Sequence, residues 1–170
     1  DARVVSEGVV DAVWRTHPWG FGEGGEPNAR YEHPGHAASA LAPVLRPVLA
    51  LEPLAVSGDA GAFRDRLAAA MIARAVPQSG VVNMLIASTE VFDNAAEHGG
   101  GPTWGRAGLV DGRFVCEISD SGPGLEDPIA GYYPPGSDRS PGTGLWVARQ
   151  LVFRVEVLPS APGTTVRLWL

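Results

Sequence analysis

From Leu54 onward, apolar and polar positions alternate with regular punctuation. LAVSG (54–58) reads as a short strand, and DAGAFRDRLAAAMIARAV (59–76) as a helix opened by Asp59 as N-cap and closed by Pro77. Gln78 to Gly99 carries helical periodicity, with Ser79 as the expected cap and the glycine run 99–101 as its stop. TWGRAGLV and FVCEIS read as two strands around Asp111-Gly112, a dipeptide that favours a hairpin turn. After a Gly- and Pro-rich loop, 121–142, GLWVARQLV reads as a third helix. The strands FRVEVLP and TTVRLWL close the chain about the turn SAPG. This order predicts an α+β fold: a two-layer α/β sandwich with a mixed, mostly antiparallel sheet and three main helices on one face.

Residues 1–53 have a different texture. A Gly-rich loop, FGEGGEPNAR, and prolines at 43, 47 and 53 interrupt any long helix, because proline removes an amide donor and restricts the residue before it. The expected division is a connector or tail over 1–53 and a folded domain over 54–170.

Composition narrows the function classes. At 170 residues and 45% hydrophobic, the chain can bury one domain with a smaller appendage. Asp and Glu total 19 against 13 basic residues, all arginine, so no global basic field exists to hold nucleic acid. No apolar run approaches the ~20 residues that cross a bilayer, and no leader pattern opens the chain, so a soluble cytoplasmic protein is expected. Cys116, in RFVCEI, is expected to be a small buried strand residue.

On a wheel of about 100° per residue with Glu90 at zero, Leu85, Thr89, Phe92 and Ala96, with Val82 beside them, share an arc of roughly 200–280°. That arc is the expected core face of the second helix. Asn94 falls at about +40°, Glu97 at about −20° and His98 at about +80°, on the other side. A carboxylate and a carboxamide one turn apart thus point the same way, an arrangement that a solvated helix face would also produce. Two glycine turns add information. VCEISDSGPGL is a strand ending in Asp120, then a Gly-x-Gly where backbone can approach a ligand closely. SPGTGLWVARQLV sets a second Gly-x-Gly at the start of a helix, whose unpaired amides favour phosphate. Taken singly, these are also an Asx turn and a flexible loop entering a helix.

TEVFDNAAEHGG resembles the N box of the GHKL ATPases, DSGPG their G1 box and GTGLWVARQL their G2 box, with GTTVRL similar to their closing strand. The resemblance spans about 54–170 and implies a Bergerat-type sandwich binding ATP and Mg²⁺. LIASTEVFDNAAEHGG is most similar to the anti-sigma regulatory factors, serine/threonine kinases acting on anti-anti-sigma proteins. RTHPW and YEHP resemble, over about residues 1–35, the tail of a MEDS-type sensory domain.

The resemblance implies a role for each matching residue. Asn94 would hold Mg²⁺ through its carboxamide oxygen, in keeping with that ion's preference for hard oxygen ligands. Glu90 corresponds to the general base. Asp120 corresponds to the acceptor of the adenine amino group, assisted by the Thr164 hydroxyl, while Gly122 and Gly124 let the chain pass the base and hinge a lid. The stretch 125–141 corresponds to that ATP lid, and Arg139 could reach the terminal phosphate or be a surface arginine. Amides of Gly142, Thr143, Gly144 and Leu145 would cradle the phosphates. His98 is expected to cap its helix rather than act chemically. His33 and His36 lack further ligands for a metal site. The tryptophans are expected to pack, with Trp146 placed to brace the lid.

The resemblance implies an anti-sigma factor and kinase with a sigma factor and an anti-anti-sigma protein as partners, and relatives of this type pair as homodimers. Two alternatives are an ATP-responsive binding module without phosphoryl transfer and the catalytic domain of a two-component histidine kinase. Against the latter, no His followed by an acidic residue and a dimerisation helix precedes the domain; His17 is followed by proline.

Overall fold

The structure, a computed structural model, describes residues 29–31, 48–57, 59–125, 130–132, 134–135, 143–160 and 162–170. Contacts divide the chain into two compact units: Asp1–Arg46 with Asp127–Ile129, and Pro47–Glu126 with Ala130–Leu170. Every element below belongs to the second. The segment resembling a MEDS tail, apart from residues 29–31, lies outside the described residues, as do Trp14, His17, Trp19, His33, His36, Arg139 and Gly142.

Five strands form one sheet: β1 (Glu52–Leu54), β2 (Pro102–Val110), β3 (Arg113–Asp120), β4 (Arg154–Pro159) and β5 (Thr164–Trp169), in the order β1-β2-β3-β5-β4. Every pairing among the described residues is antiparallel. Three helices, α1 (Ala60–Ile72), α2 (Gln78–His98) and α3 (Gly144–Leu151), complete an α+β sandwich. Alternation along β3 sends Phe114, Cys116 and Ile118 to the helix side, where they meet Phe63 and Leu67 of α1, Met84 and Val91 of α2, and Ala148 of α3. The Phe63 and Phe92 rings pack with centroids 5.0 Å apart, joining α1 to α2.

Several boundaries differ from the sequence reading. The first strand is Glu52–Leu54 rather than 54–58: Pro53 is tolerated because β1 is an edge strand, pairing among the described residues with β2 alone. The segment expected as a strand is held instead by Arg66, whose Nε donates to the Ala55 carbonyl at 2.9 Å. Asp59 does cap α1, its Oδ1 accepting from the Ala62 amide at 2.8 Å. That helix, however, ends at Ile72 before Pro77 is reached. Ala75 adopts φ 53°, and the Val76 and Ala75 amides donate back to the Met71 and Ile72 carbonyls at 3.1 and 3.0 Å, a Schellman-type stop built without glycine. Pro77 begins α2 in place of Ser79, which lies within the helix.

The core face of α2 requires the largest correction. Its buried residues are Met84, Ala87, Ser88, Val91, Phe92 and Ala95, centred near +120° on the wheel rather than on the 200–280° arc. Val82 is 49% exposed and Ile86 43%. The helix is apolar on two arcs, and the arc rich in small residues wins because Ala87 and Ala95 admit close neighbours such as Ala148. Glu90 and Asn94 therefore sit at the margin of the buried arc, half-buried, and not opposite it.

On the other sheet face the register aligns Arg106, Glu117, Arg167 and Glu156 across β2, β3, β5 and β4. Arg167 donates from Nε to Glu117 at 2.6 Å and from Nη1 to Glu156 at 3.2 Å, with all three residues buried. Trp169 Nε1 also donates to Glu156, at 3.2 Å, and Arg154 pairs with the same carboxylate.

Cys116 is fully buried as expected, and burial, reinforced by Glu117, pushes its thiol pKa up to about 12 from an ordinary 9.0. The unfolded chain releases this proton near 9.0 while the folded chain keeps it. Cys116 therefore contributes stability that is complete below 9.0 and lost progressively as pH rises toward 12. Native protein at pH ~8 should leave Ellman's reagent unreacted until denaturant is added. Urea titrations across that alkaline window should show a fall in unfolding free energy that is shallower in Cys116→Ala.

Candidate functional site

Asp120 ends β3 at the C-terminal end of α2, and three glycines make room for it. A side chain on Gly99 would meet Asp120 Cβ at 2.5 Å and Cγ at 2.6 Å. One on Gly122 would meet Gly99 Cα at 2.6 Å and the His98 carbonyl at 2.9 Å, while Gly163, at φ 97°, lies against the Asp120 carbonyl. The Gly122 and Thr164 amides both donate to Asp120 Oδ1, at 2.9 and 3.2 Å. Oδ2 has no bond among the described residues, so one acceptor of an oriented carboxylate remains for a ligand donor.

Thr164 meets Asp120 through its amide, and its carbonyl accepts from Ser119 Oγ at 3.2 Å. Gly124 takes φ 89°, a conformation suited to a chain reversing away from the strand. Gly99 and Gly163 were legible only as a helix stop and a turn glycine. His98 is well exposed, 3.9 Å from Glu97, and contributes its carbonyl to the packing against Gly122.

The second half of the site lies about one to two turns back along α2. A side chain on Gly144 would meet Asn94 Nδ2 at 2.9 Å, Glu90 Oε2 at 3.1 Å and Asn94 Oδ1 at 3.3 Å. The N-terminus of α3 thus rests directly against the N-box pair. Thr143 occupies the N-cap position yet makes no side-chain cap bond, so the first amides of α3 are free of a capping hydroxyl. Thr143, Gly144 and Leu145 are all brought to this end. Asn94 and Gly99 are five residues apart on α2, roughly 7 Å along its axis. The C-terminal half of α2 therefore meets the Asp120 carboxylate of β3 at its end and, one to two turns back, turns side-chain oxygens toward the N-terminus of α3.

This arrangement suits a ligand with a hydrogen-bond donor at one end and an anion at the other. Asn94 Oδ1 and Glu90 Oε2 are hard oxygen donors of the type Mg²⁺ accepts. Among the described residues no group of three or more His, Cys, Asp or Glu gathers.

The family model for the histidine kinase-like ATPase domain matches residues 55–170, and the chain belongs to that family. No curated protein matches it. Among solved structures it is similar to the RsbU and RsbW domains of Rv1364c from Mycobacterium tuberculosis, with 22% identity and a TM-score of 0.48 over 70% of this chain and 30% of that one. It is also similar to the histidine kinase domain of a blue-light activated histidine kinase from Erythrobacter litoralis, with 18% identity and a TM-score of 0.41 over 78% of this chain and 67% of that one. No helix among the described residues is long and apolar enough to cross a membrane.

Gly99→Ala tests the seat of Asp120. The added methyl has no flexible neighbour to displace, so unfolding free energy should fall by about 1–3 kcal/mol by urea titration. Calorimetric ATP affinity should drop at least about tenfold, and undiminished affinity would show that the position of Asp120 does not matter to the ligand.

Proposed function

We propose that this chain binds Mg-ATP between Asp120 and the N-terminus of α3 and transfers the γ-phosphoryl group to a serine or threonine hydroxyl of an anti-anti-sigma protein. In the same reading it holds a sigma factor until that partner competes, and acts as a homodimer in the cytoplasm. The observation that supports the catalytic half is the contact of Gly144 with both Glu90 and Asn94. A phosphate bound at the α3 amides would lie beside a carboxylate able to take a proton. The N-box sequence LIASTEVFDNAAEHGG, similar to the anti-sigma regulatory factors, supports the partner class.

In this mechanism the Asp120 carboxylate accepts from the adenine amino group and fixes the base. The α3 amides hold the phosphates, with Asn94 holding Mg²⁺, which supplies charge neutralisation when bound. Glu90 takes the proton from the attacking hydroxyl as the new O–P bond forms and the bond to the β-phosphate oxygen breaks, leaving ADP and a phosphoester. Arg139 would meet the developing charge at the γ-phosphate, and Gly142 would add its amide to the cradle. In this reading the segment 1–53 serves as a connector or as the tail of a preceding sensory domain.

Asn94→Ala should lower Mg-dependent ATP affinity more than about tenfold by calorimetry, equivalent to about 1.4 kcal/mol. Affinity equal to wild type would remove the metal role. Glu90→Gln should keep ATP affinity within about threefold and lose about 10²–10⁴ in transfer of radiolabelled phosphate to the anti-anti-sigma protein. Full transfer by that variant would remove Glu90 as the base. Bound ATP with no transfer by wild type would favour the non-catalytic binding module.

A further inference from the structure

Residues 130–132, which lie between β3 and α3 in sequence, rest on α3. Gly131 adopts φ 76°, and a side chain there would meet Leu145 Cβ at 2.6 Å and its carbonyl carbon and oxygen at 2.8 and 3.0 Å. This glycine thus lies against the first turn of the helix that carries the phosphate-facing amides. One residue later, the Tyr132 ring stacks on the Arg149 guanidinium, its centroid 3.8 Å from Cζ. Arg149 donates from Nη1 to the Val155 carbonyl at 3.0 Å, which fixes the guanidinium between α3 and β4. Its Nε is buried with no hydrogen-bond partner.

These facts decide what holds Tyr132 in place. The residue is 62% exposed, so burial of its own surface is a weak restraint. The guanidinium, by contrast, is partly desolvated, and burial lowers its pKa. A cation short of hydrogen bonds gains more from an aromatic face than a fully hydrated one does. The stacked pair is therefore the stronger of the two restraints on residues 130–132.

We propose that Tyr132 and Arg149 are positioning residues for the nucleotide: their stacking pins residues 130–132 to α3 and slows nucleotide escape from the phosphate end of the site. The inference rests on the ATP reading above. Neither side chain needs to touch the nucleotide. The effect is set by the strength of the stacked pair. A contact of this kind corresponds to about a three- to tenfold change in dissociation rate.

Stopped-flow displacement of methylanthraniloyl-ATP from the full chain tests this. Tyr132→Ala should release the nucleotide about fivefold faster, with association unchanged within about twofold. Tyr132→Phe, which keeps the ring face, should restore the wild-type rate. Arg149→Lys keeps charge without the planar face and should also release faster, and the double variant Tyr132→Ala/Arg149→Lys should be no faster than the quicker single variant. Additive effects, an unchanged rate in Tyr132→Ala, or failure of Tyr132→Phe to restore it would each overturn the stacking role while leaving the ATP reading intact. A wild type that binds no methylanthraniloyl-ATP would overturn the ATP reading and this inference with it.

Discussion

Amides at a helix N-terminus can receive an anion only if the chain ahead of them is uncapped and nothing bulky separates them from the groups that act on that anion. Both conditions are met at Gly144, where the start of α3 lies so near Asn94 and Glu90 that an added Cβ would press on the ends of both side chains. The approach depends on packing deeper in the molecule. Ala87, Val91 and Ala95 of α2 and Ala148 of α3 are all buried and small, and they set how near the two helices come. The same choice of buried arc turns Glu90 and Asn94 to the edge of the interface. Core packing and site geometry are thus one arrangement.

At the C-terminal end of α2, a single carboxylate is held by main chain from three places. Asp120 receives amides from its own turn and from the start of β5, while the glycine after α2 closes against its methylene. A carboxylate restrained in this way has little freedom to rotate, which favours recognition of one donor direction over another. The stretch of α2 between Asn94 and Gly99 acts as the spacer between the two halves of the site.

The elements of the fold were legible because their periods and turn residues agree, from Asp59 capping α1 to Asp111-Gly112 in the hairpin. The core face of α2 was not. Val82 and Leu85 outweigh alanines on any hydrophobicity scale, yet the alanines decide which arc can be approached closely. The end of α1 was hidden because Ala75 takes a left-handed conformation usually signalled by glycine. The first strand was misplaced because Pro53 reads as a breaker and is harmless at a sheet edge. For the site, Glu90, Asn94, Asp120 and Gly144 could be named from their motifs. The supporting Gly99 and Gly163, and the stacking of Tyr132 on Arg149, depend on contacts between distant segments that no local pattern carries.

The alternating row of charge on the far sheet face has a bearing on the site it does not touch. Glu117, Arg167 and Glu156 match in the observed alignment of β5 between its neighbours, and sliding that strand by a single position would send the guanidinium to the apolar side and break its bonds to both buried carboxylates. Thr164, three positions from Arg167 on the same strand, owes its place beside Asp120 to that alignment. The ionic row works as a ruler: it meters where β5 begins, and so delivers the correct amide to the carboxylate at the strand's end.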